Sequence, residues 1–379
     1  MIVRDEETNL AGCLSCVVDL FDEIVVVDTG SVDRTREIAR EFGARIYEVP
    51  WTDDFSVARN AAIDFAAGDY IFWLDADDRL DECCRRRLRS LFDGLVDTDE
   101  AYVASVRSNI PGAPTGFVVD QVRLFPRNDA VRWSGKIHEQ ILPALERVGV
   151  GVRWTDVIIT HTGYSDPEVD KRKSERKVSL LLEELQETPD DPFTLLNLGR
   201  ASIDGRLLDD ALGYLDAGLA SSKPDMPIRR NLYIAKALAH QLAGSLDDAS
   251  AACREGLSSF PDDGELIFRD SCIKKLAGDL DGAEAGWRRL LRLERPRLFL
   301  CSVDGVYGHL PLRNLALLAE ERGRLREAFR LWAEVLRECP RDRQAVEARL
   351  RVASRAFGTW KTRLVGMLKF KPSPPRIGL

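Results

Sequence analysis

Residues 22–28, Asp-Glu-Ile-Val-Val-Val-Asp, form a β-branched run between polar residues, the pattern of a buried strand. A helical spacing of apolar positions follows over 33–42, then a second strand over 45–49 and another helix over 54–66. A further apolar run predicts a third strand over 69–75, and a helix is expected from about Asp81 to Phe92. Strands that alternate with helices in this order imply right-handed crossovers and a mostly parallel sheet. Later strands are expected at 101–108, 121–126 and 154–160, with a helix over 138–147.

After about residue 165 the pattern is helical throughout. Four segments share one layout, opening at Gly205, Gly244, Gly278 and Gly323 and carrying an alanine five or six residues later at Ala211, Ala249, Ala283 and Ala328. A proline follows each, at Pro224, Pro261, Pro296 and Pro340. The intervals between the glycines are 39, 34 and 45 residues. The middle one equals the tetratricopeptide period, and the longer ones imply insertions, one of them over 297–312. Small residues let paired helices approach closely, and proline stops the second helix. The expected organisation is an α/β domain over 1–165, a basic connecting helix over 166–190, helical repeats over 191–345 and a basic tail over 346–379, proline-rich and poorly ordered from Lys361 on.

Composition narrows the class. Hydrophobic content of 45% and charged content of 31% belong to a globular protein, and 379 residues are too many for one ordinary core. No apolar stretch approaches the roughly 20 residues of a membrane span, and Met-Ile-Val-Arg-Asp-Glu-Glu lacks the layout of a signal peptide, so a cytoplasmic location is expected. Eight cysteines show no regular disulfide framework; Cys13 and Cys16 fit one helical face with Leu10, Val17 and Leu20, as core thiols would. Residues 1–165 hold 18 Lys and Arg against 29 Asp and Glu, a net of −11, whereas 166–379 carry +3. So acidic a first half argues against nucleic acid as its partner, and an anionic substrate would need a cation to mediate.

The strand at 69–75 ends in three carboxylates, Asp75, Asp77 and Asp78. Ligands of open α/β sheets bind at the carboxyl ends of strands, and massed carboxylates there call for a hard divalent cation. Capping of the next helix by Asp78 or Asp81 is the alternative use of this cluster. Asp28 ends the first strand before Gly30, where it can close its own turn or accept from a base or ribose. Ser31 or Asp33 can cap the helix after it, and Arg59 places a cation on the same side of the sheet.

Met1-Ile-Val-Arg-Asp-Glu-Glu, Asp28-Thr-Gly-Ser-Val-Asp33-Arg-Thr35, Phe55-Ser-Val-Ala-Arg59-Asn60 and Trp73-Leu-Asp75-Ala-Asp77-Asp78 occur in an order and spacing that resemble family 2 glycosyltransferases of the GT-A fold. The match runs on through Gly135-Lys-Ile-His138-Glu139 and His161-Thr-Gly163-Tyr164. With helical repeats behind the catalytic domain, the chain is similar to bacterial enzymes that include the sublancin-type peptide S-glycosyltransferases. The resemblance covers about residues 1–190 by motif and the rest by architecture only. It implies a Rossmann-like GT-A domain followed by an all-α tetratricopeptide-like domain. It further implies a UDP-sugar donor, Mn²⁺ or Mg²⁺, and inversion at the transferred carbon. By that resemblance Asp28 contacts uracil or ribose, Arg59 lies near the nucleotide or diphosphate, Asp77 ligates the metal and Asp75 the metal or the sugar. Only Ile2 and Val3 stand for the first strand, so its nucleobase contacts, with Val3 a candidate among them, are expected to be incomplete.

Inverting enzymes need a carboxylate base for the acceptor, and Glu139, expected to open a helix, is the leading candidate with Asp120 in reserve. His161 can complete the metal site, and His138, Lys171 and Lys173 are candidate donor contacts, the two lysines on a basic helix that can close over the diphosphate. A concave repeat surface suits a peptide or protein acceptor. A polysaccharide or lipid-linked acceptor is the alternative, as is a non-catalytic scaffold with a degenerate transferase domain. An acetyl- or nucleotidyl-transferase would want a phosphate-cradling glycine-rich loop, and the sequence has none.

Overall fold

The computed structural model describes residues 1–95, 100–108, 116–163, 167–297, 299 and 301–357, without the side chains of 167–174 and 357. The sequence from residue 358 on, and the side chains of Lys171 and Lys173, lie outside the described residues. The chain divides into two compact units, Met1–Ala235 with Pro296–Asp304, and Lys236–Arg295 with Gly305–Leu379.

The first unit opens with β1 (Ile2–Val3), α1 (Leu10–Ser15), β2 (Val25–Asp28), α2 (Thr35–Glu41), β3 (Arg45–Glu48) and α3 (Phe55–Phe65). Its first sheet has the order β1-β2-β3 and is parallel throughout, as the alternation predicts. Next come β4 (Tyr70–Phe72), β5 (Asp78–Arg79), α4 (Glu82–Asp93), β6 (Glu100–Ser108), β7 (Phe117–Pro126), α5 (Leu142–Arg147) and β8 (Gly151–His161). They form a second sheet in the order β4-β7-β6-β8-β5. In it β6 and β8 run parallel, while β4–β7, β6–β7 and β5–β8 are antiparallel pairs. Two helices, α6 (Pro167–Glu187) and α7 (Pro192–Asp204), follow, and α7 pairs with α8 (Leu208–Ser221).

Among the described residues, three clusters of buried side chains hold the sheets and their flanking helices together. Val3, Leu10, Leu14, Val26 and Ile38 seat α1 and α2 on the first sheet. Cys13, Leu74, Leu88, Val106 and Ile159 join α1 and α4 to the second sheet. Trp73, Val103, Phe125, Trp133 and Leu145 form the third cluster. Full burial of each aliphatic side chain contributes roughly 2 kcal/mol. All eight cysteines are free thiols; burial raises that of Cys13, and its Sγ donates to the Asp75 carbonyl at 3.3 Å.

After α9 (Ile228–Leu242), the second unit contains α10 (Leu246–Ser259), α11 (Gly264–Leu276) and α12 (Leu280–Leu290). The segment expected as an insertion then supplies β9 (Cys301–Val303), which belongs to the first unit and pairs antiparallel with β7. The second unit resumes with α13 (His309–Glu321), α14 (Leu325–Glu338) and α15 (Arg343–Phe357). The last of these takes up residues 346–357, where the sequence suggested a tail. Ala211, Ala249, Ala283 and Ala328 are wholly buried, as helix-pair contacts require. Gly278 has φ +87° between α11 and α12, a left-handed conformation that costs glycine little. Trp287 and Trp332 anchor the core of the second unit. Among the described residues no helix is long and apolar enough to cross a membrane.

Candidate active site at the carboxyl edge

The turn after β2 is built by Asp28. Its carboxylate, 1% exposed, accepts the Gly30 and Ser31 amides and the Ser31 hydroxyl, so Asp28 closes its own turn. Val3 pairs with Asp28 in the sheet, and its carbonyl accepts both the Thr29 amide and hydroxyl. Asp33 accepts the Thr35 amide at 2.9 Å at the start of α2. These groups give the loop a fixed shape.

The three carboxylates after β4 take different positions. Asp78 does not cap a helix, as its place before α4 suggested; Asp81 does that through the Cys84 amide at 2.8 Å. Asp78 lies instead in β5, opposite His161 of β8, and is wholly buried. One of its oxygens accepts the Asp75 amide and Arg123 Nη1, each at 2.9 Å, and the other lies 3.0 Å from His161 Nδ1. Burial pushes this carboxyl up, but Arg123 and the His161 hydrogen bond outweigh it and hold Asp78 below the usual range. Asp77 has the opposite balance. Burial raises it to about 6, with Asp75 and Asp78 adding to the rise and His161 opposing it. Burial lowers His161, yet its contacts with Asp78 and Asp77 leave it raised.

Arg123 was not singled out from the sequence. It is 1% exposed and its Cζ lies 3.7 Å from the Trp73 ring centre. The signal was a charge among the apolar residues Val122, Leu124 and Phe125. Arg59 projects from α3 toward the same tryptophan, 4.3 Å from its centroid and 5.2 Å from that of Trp133. Its Nη2 donates to Asp75 at 3.1 Å and its Nε to Glu139. A chain of alternating charge therefore runs from Glu139 through Arg59, Asp75, Arg123 and Asp78 to His161 and Asp77.

Glu139 does not open a helix as expected. It lies in a loop closed by the Ser134–Gln140 bridge, and α5 begins only at Leu142. The reason is His138, whose left-handed φ of +56° breaks any helical run through this point. The His138 ring turns to Phe193 of α7, with centroids 5.9 Å apart, and burial, then Lys177 and Arg200, push it down to about 3. Asp120 sits on β7, 5% exposed, and accepts from Ser105 Oγ at 2.8 Å. The structure thus gathers Arg59, Asp75, Asp77, Glu139 and His161, and turns His138 toward α7.

The donor set suits a divalent cation. Ligand atoms of Asp75, Asp78 and His161 lie within 4.8 Å of one another. Asp78 already serves three donors, so its place is to hold His161 by Nδ1 and leave Nε2 outward. Asp77 lies beside this group, its Oδ1 3.2 Å from His161 Nδ1, and Gly163 shows the space around it. A Cβ on Gly163 would overlap Asp77 Oδ2 and stand 3.0 Å from His161 Nε2. Gly163, two residues beyond the end of β8, thus lets Asp77 Oδ2 and His161 Nε2 face one gap. A separate apolar cavity of about 600 Å³ reaches Arg59 and Trp73 but includes none of Asp75, Asp77, Asp78, Glu139 or His161.

The parallel strands β1–β3 with Asp28 at their carboxyl end, and the Asp75–Asp78 carboxylates that follow the antiparallel-paired β4, define an α/β domain of the Rossmann-like class with an acidic site. Residues 1–140 match the profile of glycosyl transferase family 2. A TPR repeat-containing protein of Synechococcus elongatus is 35% identical over 256 residues, 66% of this chain and 62% of that protein. The SPbeta prophage-derived glycosyltransferase SunS of Bacillus subtilis is 29% identical over 59% of this chain and 53% of its own length. The chain thus spans less than two thirds of either relative. Among solved structures, a TPR protein of Thermus thermophilus aligns with 49% of this chain and 92% of its own, at 23% identity and a TM-score of 0.37.

Proposed function

We propose that the chain is a metal-dependent, inverting glycosyltransferase that takes its sugar from a UDP-sugar. The family match of residues 1–140 supports sugar transfer. The observation that carries the metal dependence is the Asp77–His161 gap kept open by Gly163, where burial raises Asp77 against the opposing pull of His161. Asp77, Asp75 and His161 would hold Mn²⁺ or Mg²⁺. When bound, such an ion supplies positive charge to the departing nucleoside diphosphate.

The chain's own residues do the rest. Asp78 and Arg123 lock His161 and the Asp75 backbone in place, so ligand geometry is set before substrate arrives. Glu139 takes the proton of the acceptor hydroxyl or thiol. The freed nucleophile bonds to the anomeric carbon on the face opposite the diphosphate, whose C–O bond breaks with inversion. Asp28, having closed its turn, presents the rigid edge on which the nucleoside lies. The helical repeats offer a surface suited to a peptide or protein acceptor, and a polysaccharide or lipid-linked acceptor is the competing outcome.

Thermal unfolding in UDP with Mn²⁺ tests the donor site. A ligand at 100 times its Kd adds about 2.7 kcal/mol, which corresponds to a rise of about 5 °C or more for a domain of this size. A pure scaffold shows no shift with UDP and Mn²⁺, and that result would overturn the proposal.

A further inference from the structure

Arg59 commits its Nε to Glu139 and one N–H of Nη2 to Asp75, and its side chain is 10% exposed in a corner formed by Trp73 and Trp133. The two rings stand at 87°, so the guanidinium is held by its faces as well as by its hydrogen bonds.

The rest of α3 points the same way. Asn60, the next residue, accepts the Trp133 amide at 2.8 Å and donates to the Trp133 carbonyl at 3.0 Å. The Phe55 amide donates to the Lys136 carbonyl at 2.9 Å. Three positions of one helix therefore grip the stretch from Trp133 to Glu139. Two of those grips are to backbone and suffice to seat the loop. The third, from Arg59, falls on the one carboxylate of that loop and also on the aspartate beside the cation site.

We propose that Arg59 is a positioning residue, which aims Glu139 at the acceptor and ties it to Asp75. This rests on the glycosyltransferase reading and departs from the donor role expected for Arg59. Because one guanidinium holds both carboxylates, it sets the separation between the acceptor side and the donor side of the reaction. Loss of that registration costs turnover without loss of donor binding, and a displacement of about 1 Å can cost on the order of 100-fold.

The test compares wild type, Arg59→Ala and Arg59→Lys for UDP·Mn²⁺ affinity by calorimetry and for turnover at saturating donor. The near-ultraviolet circular dichroism of Trp73 and Trp133 reports folding. The expected result is a Kd within about 3-fold of wild type and a kcat lowered about 100-fold in Arg59→Ala. Added methylguanidinium, which fits the vacated corner, restores that kcat at least about 10-fold. Arg59→Lys keeps the charge and the fold but lacks the two-edged fork, and stays impaired. A Kd weakened 10-fold or more with kcat intact places Arg59 on the donor and overturns the inference. So does full kcat in a folded Arg59→Ala. A wild-type protein that turns over no nucleotide sugar overturns the glycosyltransferase reading itself, a result separable from the other two.

Discussion

Substitution of Gly163 by alanine adds one methyl group, and the structure says where it goes. The new Cβ meets Asp77 Oδ2 head-on and lies 3.0 Å from His161 Nε2. Ordinary contact requires Asp77 to withdraw by about 1 Å, several times the roughly 0.2 Å tolerance of metal–ligand distances. The Asp77 backbone is fixed, because its carbonyl accepts both the Thr162 amide and hydroxyl, at 3.0 and 2.8 Å, so the side chain itself must turn away. His161 is pinned by Asp78 on the other side. The loss therefore falls on the cation rather than on the fold. Mn²⁺ affinity, read by electron paramagnetic resonance of free Mn²⁺, should fall by about 10- to 100-fold, the range for a disturbed metal shell. The melting temperature without metal should change little, since the gap lies at a strand end outside the buried clusters. Wild-type Mn²⁺ affinity in a folded Gly163→Ala protein would refute the placement of the cation between Asp77 and His161.

Three further outcomes follow from the same contacts. Asp78→Ala leaves Arg123 buried without its carboxylate and should destabilise the first unit by about 3–5 kcal/mol in chemical denaturation; a change below 1 kcal/mol would show that the pair carries no weight. Asp77, pushed up to about 6, holds a proton below that pH, so Mn²⁺ affinity should weaken as pH falls from 7 to 5, and a flat profile would contradict its ligand role. In the second unit, hydrogen bonds from Arg324, then Arg288, hold Glu284 down at about 2 against an ordinary 4.5. Its stabilisation is thus present above pH 4.5 and lost as pH falls toward 2, about 2 kcal/mol after allowance for the 12% of the side chain that is exposed. Glu284→Gln should lower the melting temperature at pH 7 and match wild type near pH 2.

Much of the first unit was legible because its signals are local. The β-branched run at 22–28 became β2, and the helical spacing at 54–66 became α3 with Asp54 as its N-cap. The Gly…Ala pattern of the second half marked real helix pairs because burial of the alanines depends on the nearest turn alone. What stayed hidden depends on distant residues. Nothing near Cys301 announces that it pairs with Val119 of β7. Asp78 looks like a capping residue until β8 brings His161 against it, and Arg123 looks like a surface charge until Trp73 and Asp78 enclose it. Glu139 was expected on a helix because apolar periodicity does not report the left-handed backbone at His138. The candidate carboxylates were thus readable as a group, while their separate duties depend on tertiary contacts.

The central claim is sugar transfer that depends on a cation held at Asp77. Its most direct measurement is hydrolysis of a panel of UDP- and GDP-sugars by the full chain, with and without Mn²⁺ or Mg²⁺, beside Asp77→Ala. The account predicts turnover of a UDP-sugar that requires the metal and falls at least about 100-fold in the folded variant. Equal turnover in Asp77→Ala, or turnover unaffected by removal of the metal, would contradict it.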